Sequence, residues 1–164
     1  MRQITEINKT DRCQLLGWCF GGQICFEMAT IIERENLYKE VELYLLNTFI
    51  FDDYLEKLYK EEIEDVKKKG NLSLEESLTI VEMAMQCQRP LTKLKRTKVF
   101  LFKTGTFETD NIVMQHVIEL PTNNLEGYVT KNDDIVTVTL PNAIHTTIIP
   151  EFEKYYRDSY ASSL

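Results

Sequence analysis

Six residues near the start of the chain combine a thiol with three glycines, which suits nucleophilic catalysis. They are residues 17–22 (GWCFGG), and they follow the apolar run 13–16 (CQLL). The spacing Gly17-x-Cys19-x-Gly21 is typical of a nucleophile elbow, where a strand turns sharply into a helix and exposes one side chain at the tip. Small residues on either side of the tip let the two backbones pass close together. The pattern indicates Cys19 as a nucleophile; the alternative is a small, buried cysteine in a tight turn.

The position of Cys19 also predicts how its charge is controlled. At the tip of an elbow the thiol lies beside the amino terminus of the next helix, whose dipole and unpaired N–H groups stabilise a thiolate. We therefore expect the pKa of the Cys19 thiol to be lowered. The backbone N–H of Phe20 is expected to face the position where an oxyanion develops during acyl transfer.

A nucleophilic thiol needs a general base, and the sequence contains two histidines. His145 ends the stretch 141–145 (PNAIH), directly after an apolar run that reads as the last strand. An elbow and such a loop both lie at the carboxyl end of a parallel sheet, so His145 is the expected base. His116, in the stretch 112–117 (IVMQHV), is away from that edge and is interpreted as a structural or surface histidine.

A third residue should hold the imidazole by accepting its N–H. Asn47 ends the second apolar strand and is the expected orienting residue, because a thiolate–imidazolium pair needs less help from a buried carboxylate than a serine does. The alternative is an asparagine that only forms a turn. Asp110, after the third strand, is the other candidate for this role, with Asp52 and Asp53 behind it.

Four short apolar runs are predicted to form the strands that position these residues. They are 13–17 (CQLLG), 41–46 (VELYLL), 98–103 (KVFLFK) and 135–140 (IVTVTL). The stretch 21–36 has apolar residues at helical spacing, and 151–160 reads as a short closing helix. Strands separated by helical stretches predict a mostly parallel sheet with right-handed crossovers, and hence an α/β fold in a single domain over 1–164.

The connection between the second and third strands, about 52–92, has a different character. Residues 53–69 are rich in Lys and Glu three or four positions apart, which suits a solvated helix. Ser73, followed three residues later by Glu76, favours the start of a second helix that runs to about residue 88. Two helices are more than a crossover needs. The segment is either an enlarged crossover or a lid over a site at the carboxyl ends of the strands.

Charge and composition exclude several partner classes. The formal net charge of −7 argues against nucleic acid and against an anionic membrane surface. No apolar run approaches the roughly 20 residues that span a bilayer, and the start of the chain lacks the features of a signal peptide, so we expect a cytoplasmic location. The four cysteines lack CxxC spacing. They are therefore expected to be reduced thiols, and no metal site is expected.

Three stretches together resemble the thioesterase domains of nonribosomal peptide and polyketide synthetases, which belong to the α/β-hydrolase superfamily. Residues 13–22 (CQLLGWCFGG) resemble the GWSFGG elbow of that family, and residues 43–48 (LYLLNT) fall where its members have a strand ending in the triad aspartate. Residues 125–128 (LEGY), followed by the strand 135–140 and then PNAIH, look like the stretch that precedes the catalytic histidine. The resemblance covers nearly the whole chain. It implies a partial α/β-hydrolase fold with a lid at about 52–92.

This resemblance implies a thioesterase or acyltransferase that releases an acyl or peptidyl chain from a carrier-protein thioester. Cys19 stands at the serine position, Asn47 where aspartate is usual, and His145 at the histidine position. No cofactor is expected on the chain itself, because the thioester is formed with the phosphopantetheine arm of a partner acyl or peptidyl carrier protein. The two substitutions indicate either a shifted mechanism with a preformed ion pair or a decayed enzyme.

The resemblance also makes the first strand an expected interaction surface. Family members have several strands before the elbow strand, whereas this sequence starts shortly before it. The elbow strand is then expected to have an unpaired edge, which would form a homodimer or be covered by a rearranged amino-terminal segment. A noncatalytic remnant or fragment that acts as an interaction module is the alternative function, and a redox-sensing protein using Cys19 is a third.

Overall fold

The computed structural model describes residues 11–69, 90, 92–106, 112–131 and 134–161. Strands and helices alternate along these residues. In chain order they are β1 Arg12–Trp18, α1 Phe20–Glu35, β2 Glu40–Leu46, α2 Asp53–Lys69, β3 Lys98–Thr104, α3 Ile112–Glu119, β4 Ile135–Leu140 and α4 Ile148–Ala161. Short 3₁₀ turns at Glu126–Tyr128 and His145–Thr147 precede β4 and α4.

The strands form one four-stranded sheet in the order β1-β2-β3-β4, and each neighbouring pair is parallel. The predicted α/β fold is therefore confirmed. The register places Trp18 beside Leu46, and Leu46 beside Phe102. The carboxyl ends of β1, β2 and β3 consequently lie at one edge of the sheet, where the loops that follow them can meet.

Helix α1 covers one face of the sheet. Its apolar side buries Phe26, Ala29 and Ile32 against a cluster that includes Leu43 and Leu101. Cys13 and Leu15 of β1 pack partly against the same cluster. Because side chains of a strand alternate between its two faces, the odd-numbered residues of β1 and β2 supply this core.

Helix α4 covers part of the opposite face. Leu46, Phe102 and Leu140 of the sheet form a buried cluster with Ile148 at the start of α4, and Phe152 packs against it. The side chain of Leu16 is on this same face but remains 56% exposed. The α4 face of β1 is therefore covered less completely than the same face of β2 and β3.

The connection after β2 begins with a buried apolar segment and continues into α2. Phe49 and Phe51 pack with Leu55, Tyr59 and Ile63 of that helix in a separate cluster. The predicted charged helix at 53–69 is thus present, with its apolar side turned towards the protein. The second predicted helix of the connection, about 73–88, lies outside the described residues.

Helix α3 carries His116, which contacts Tyr54 of α2 with 4.8 Å between the ring centroids. The end of α3 is tied to the sheet by Lys103, whose buried ammonium group donates to the carbonyls of Ile118, at 3.0 Å, and Leu120. Burial lowers the pKa of Lys103. His116 therefore lies between two helices, as a structural residue would.

Within the part of the chain that the structure describes, no helix is both long enough and apolar enough to cross a membrane. Three of the cysteines, Cys13, Cys19 and Cys25, lie in this part, and none of them forms a disulfide.

Candidate active site

Cys19 sits between the last residue of β1 and the first residue of α1, in a backbone conformation that is strained for a residue with a side chain. Its φ of 50° and ψ of −121° lie outside the regions that L-residues usually occupy. Such outliers cost about 1–3 kcal/mol and persist where the surrounding structure enforces them. Here the Cys19 N–H donates to the carbonyl of Leu46 at 2.9 Å, and the Cys19 carbonyl accepts from Gly22 N–H at 3.0 Å.

Two glycines allow this turn. One is the predicted Gly17, and the other is Gly22 where Gly21 was expected. A Cβ atom on Gly17 would lie 2.5 Å from the Cα of Gly22, and a Cβ on Gly22 would lie 1.9 Å from the Thr48 hydroxyl. A Cβ on Gly21 would meet nothing within 4 Å. The close approach of strand and helix that was expected at Gly17 and Gly21 therefore falls at Gly17 and Gly22.

Asn47, the first residue after β2, is held at the same edge of the sheet. It is 1% exposed, with a left-handed φ of 45°. Its backbone N–H donates to the carbonyl of Phe102 at 2.7 Å, which fixes it against the end of β3. Asparagine adopts left-handed backbone more readily than most residues, so its side chain can turn into the site without a glycine.

Thr48 links this loop to the elbow. Its hydroxyl donates to the carbonyl of Cys19 at 3.2 Å. Its own carbonyl accepts from the side-chain amide of Asn123 at 3.0 Å. Thr48 and Asn123 are both fully buried. Sequence reasoning missed both, because a threonine after a strand and an asparagine in a turn are common residues without a distinguishing spacing.

His145 begins the 3₁₀ turn after β4 and contacts both Asn47 and the elbow strand. The side-chain nitrogen Nδ2 of Asn47 lies 2.8 Å from His145 Nδ1. The ring of Trp18, next to Cys19, lies 5.2 Å from the imidazole, measured between centroids. The predicted base and the predicted orienting residue are thus in direct contact.

The Asn47 contact determines which imidazole nitrogen carries the proton in this arrangement. An amide nitrogen donates and does not accept, so Nδ1 of His145 must accept, and the proton of a neutral ring is then on Nε2. The other end of the amide, Oδ1, accepts from the hydroxyl of Thr104 at 3.4 Å. Thr104 is buried at the end of β3, and no sequence pattern singles it out.

The pKa of the Cys19 thiol is shifted in the direction opposite to the one expected from the helix terminus. Burial raises the pKa of the Cys19 thiol, and the backbone N–H of Phe20, which hydrogen-bonds the sulfur, lowers it by less. The predicted lowering is therefore wrong, because loss of hydration opposes ionisation more strongly than the helix terminus favours it. Cys19 is held by the backbone groups of Phe20, Gly22 and Leu46 and by the Thr48 hydroxyl.

Among the described residues, the two aspartates considered as alternatives to Asn47 for orienting His145 have other positions. Asp52 caps α2, where its Oδ1 accepts from Leu55 N–H at 2.7 Å, and its Oδ2 accepts from Asn124 at 3.1 Å. Asp53 is the first residue of α2 and is exposed. Asp110 lies outside the described residues. Nor do any three His, Cys, Asp or Glu side chains among the described residues form a group that could hold a metal ion.

Comparison with known proteins finds a similar fold among solved structures and no match by sequence. No protein-family model matches the chain, and no curated protein matches it. Among solved structures, the chain is similar to the NocB thioesterase domain from the nocardicin cluster, with a TM-score of 0.51 and 17% sequence identity. The match covers 89% of this chain and 61% of that one, so the chain spans less than two thirds of the neighbour's length. The parallel sheet with its flanking helices therefore has a fold found within a thioesterase domain, consistent with part of an α/β-hydrolase fold.

Proposed function

We propose that the chain acts on thioesters, as a thioesterase or acyltransferase with Cys19 as its nucleophile. The observation that carries this proposal is a strained cysteine at a strand-to-helix turn, at the same sheet edge as a hydrogen-bonded His145–Asn47 pair. A strained tip residue is a recognised device for exposing a nucleophile. Thioesters suit a cysteine nucleophile, because exchange between a thiol and a thioester is nearly balanced in free energy.

The reaction would proceed through an acyl-cysteine intermediate. The Cys19 sulfur attacks the thioester carbonyl while His145 accepts the thiol proton, and the backbone N–H of Phe20 turns from the sulfur to the developing oxyanion. The attack gives a tetrahedral oxyanion, and its collapse breaks the bond to the leaving thiolate, which takes the proton from His145 and leaves the acyl group on Cys19. Water or an amine then attacks the acyl-cysteine, with His145 again accepting the proton, and Cys19 is released as a thiol.

Asn47 would hold the imidazole, in one of two amide orientations. His145 can accept a proton at Nε2 only when its other nitrogen, Nδ1, carries a hydrogen. That hydrogen needs an acceptor, so the Asn47 amide must turn its Oδ1 towards Nδ1 and its Nδ2 towards the Thr104 hydroxyl. The arrangement described above is then the resting form, and rotation of the Asn47 amide precedes attack.

The natural substrate would arrive on a partner. We infer an acyl or peptidyl carrier protein, whose phosphopantetheine arm presents the thioester, because the similar structure is a thioesterase domain and the elbow resembles those of synthetase thioesterases. The segment at about 52–92, of which α2 is described, would form the lid that selects the acyl group. A cytoplasmic location goes with such a partner.

The proposal is tested by intact-mass measurement after incubation with a short acyl thioester of N-acetylcysteamine. The wild-type chain is expected to gain the mass of one acyl group, and Cys19→Ala is expected to gain none. Cys25→Ala is the matched control, because Cys25 is a partly buried thiol in α1 that contacts the carbonyl of Leu16. Loss of the adduct in Cys25→Ala but not in Cys19→Ala would exclude the proposed nucleophile.

A noncatalytic interaction module is the second candidate. Burial raises the pKa of the Cys19 thiol, which opposes formation of a thiolate, and Asn47 cannot stabilise an imidazolium by charge. Incubation with an acyl thioester would then give no acyl adduct on the protein, and the thiol would be released no faster than without protein. That result would support an interaction module instead of an enzyme.

A further inference from the structure

Two hydrogen-bond donors meet at the carbonyl oxygen of Cys19. The hydroxyl of Thr48 donates to it at 3.2 Å, and the N–H of Gly22 donates to it at 3.0 Å. A carbonyl oxygen has two lone pairs, so these two donors satisfy it. Gly22 belongs to α1 itself, whereas Thr48 belongs to the loop after β2. A residue outside the elbow therefore takes part in fixing this carbonyl.

The Cys19 carbonyl belongs to the same peptide unit as the N–H of Phe20. A trans peptide unit is planar, and its C=O and N–H groups point in opposite directions. A carbonyl held on one side therefore directs the N–H to the other side, where it hydrogen-bonds the Cys19 sulfur. Phe20 is the first residue of α1, and N–H groups in the first turn have no acceptor within their helix. This N–H is consequently available to an oxyanion that forms next to the sulfur.

The side chain of Thr48 is itself closely held. The residue is fully buried, and its carbonyl accepts from the side-chain amide of Asn123 at 3.0 Å. A Cβ atom on Gly22 would lie only 1.9 Å from the Thr48 hydroxyl, so that hydroxyl packs directly against the start of α1. The hydroxyl thus lies in a narrow space beside the Cys19 carbonyl, which only a glycine at position 22 leaves open.

We propose that Thr48 is a positioning residue, which fixes the Cys19–Phe20 peptide unit so that the Phe20 N–H faces the reacting atoms. The proposal rests on the proposed function, because the N–H is needed there only if an oxyanion forms at Cys19. Donors that are already in place stabilise a transition state without reorganisation at the moment of reaction. Donation to the carbonyl also polarises the peptide unit and strengthens its N–H as a donor. Thr48 acts only through the backbone of Phe20.

This role gives two adjacent residues of one loop complementary tasks. The side chain of Asn47 contacts His145, and the side chain of Thr48 contacts the elbow. The loop after β2 therefore aligns the base through Asn47 and the oxyanion donor through Thr48. A shift of this loop would disturb both at once.

The backbone-amide nitrogen chemical shift of Phe20 tests whether the hydroxyl holds the peptide unit, because this shift responds to a hydrogen bond at the carbonyl of the same unit. It is expected to move in Thr48→Val, which removes the donor, and to stay near the wild-type value in Thr48→Ser, which keeps it. Thr48→Ala removes the donor without placing a methyl group against Gly22, and it should give the same displacement as Thr48→Val.

Thr130→Val is the matched control for these variants. The Thr130 hydroxyl also donates to a backbone carbonyl, that of Leu94 at 2.9 Å, but it lies away from the elbow. Its removal is expected to leave the Phe20 shift unchanged. A Phe20 shift that stays at the wild-type value in Thr48→Val and Thr48→Ala, or that moves equally in Thr48→Ser, would overturn the proposal.

A comparison of two reactions at Cys19 tests the consequence for the oxyanion. Acylation by an N-acetylcysteamine thioester builds an oxyanion, whereas alkylation by iodoacetamide displaces iodide and builds none. Both reactions need the same thiolate, so the ratio of their rates isolates the oxyanion. Thr48→Val is expected to slow acylation by about tenfold, less than the complete loss of an oxyanion donor, and alkylation by a much smaller factor. Thr48→Ser is expected to restore the acylation rate.

The outcomes separate this proposal from the proposed function. Equal slowing of acylation and alkylation in Thr48→Val, in a chain whose wild type is acylated, would overturn only the role of Thr48. A wild-type chain that is never acylated would overturn the proposed function, and the role of Thr48 in the reaction with it.

Discussion

At the scale of single residues, the chemistry of the site depends on the side-chain amide of Asn47. Its Nδ2 faces His145 and its Oδ1 faces Thr104, so the arrangement places a donor where a catalytic triad needs an acceptor. A carboxylate at this position could only accept, and it would hold the proton on Nδ1 of the imidazole. The amide therefore keeps His145 in a form that cannot take the thiol proton until the amide rotates.

Asn47→Asp is consequently expected to accelerate acylation of Cys19 by about tenfold or more. The carboxylate removes the rotation and stabilises the imidazolium by charge, an effect worth several orders of magnitude in serine enzymes. The measurement is the rate of acyl-adduct formation by intact mass. Asn36→Asp, which adds the same charge at the end of α1, is the control and should leave the rate unchanged. A slower reaction of Asn47→Asp would contradict this role for Asn47.

The raised pKa of the Cys19 thiol predicts an alkaline pH dependence. Because burial favours the neutral thiol in the folded protein, alkylation of Cys19 by iodoacetamide should be slower than in the urea-unfolded chain at neutral pH. The folded rate should keep rising above about pH 8.5, the usual range of a free thiol. The same shift stabilises the fold below that pH, and this stabilisation is lost as pH rises through the folded pKa.

The rate of Cys19 alkylation is followed by mass spectrometry between neutral and alkaline pH. A rate that is already constant at neutral pH would indicate a preformed thiolate–imidazolium pair, and it would contradict a neutral resting thiol.

At the scale of elements, the carboxylate of Glu33 joins the end of α1 to the start of β3. Its oxygens accept from the backbone N–H groups of Lys95, Arg96 and Thr97 and from the Thr97 hydroxyl, at 2.7–2.8 Å. Burial acts to raise the pKa of Glu33, but these hydrogen bonds outweigh it, and the pKa is lowered. The joint lies at the amino-terminal end of β3, away from the candidate site.

Glu33→Gln is expected to lower the free energy of unfolding at pH 7 by about 1–3 kcal/mol, since hydrogen bonds to a charged group are lost. Glu35→Gln, which removes an exposed partner of Arg34, should change it by less than about 0.5 kcal/mol. Because the folded pKa of Glu33 is lowered, its contribution is present above about pH 4.3 and is lost as pH falls through the folded value. Urea unfolding at pH 7 and at acid pH checks this, and a difference between wild type and Glu33→Gln that persists in acid would contradict it.

The elements were largely predictable from the sequence, whereas the environment of each site residue was not. The four strands appear within one or two residues of their predicted bounds, because short apolar runs between helical stretches specify buried parallel strands. The direction of the Cys19 pKa shift could not be predicted, since it depends on side chains that distant segments bring around the thiol. The need for a glycine at position 22 depends likewise on Thr48, a residue of another loop.

At the scale of the whole molecule, the parallel sheet brings residues from distant parts of the chain to one edge. Cys19 follows β1, Asn47 follows β2 and His145 follows β4, and all three strands end at this edge. The ring of Trp18, the last residue of β1, contacts His145 and so links the elbow to the loop after β4. The candidate chemistry is therefore a property of the sheet's carboxyl edge as a whole.

The central claim is that the sulfur of Cys19 reacts with a thioester, and it is tested most directly by locating the acyl group. The wild-type chain is exposed briefly to an acyl thioester, digested, and mapped by tandem mass spectrometry. We expect the acyl group on Cys19, with Cys13 and Cys25 unmodified. Acylation of Cys13 or Cys25 to the same extent as Cys19, or no acylation of Cys19 at all, would contradict it.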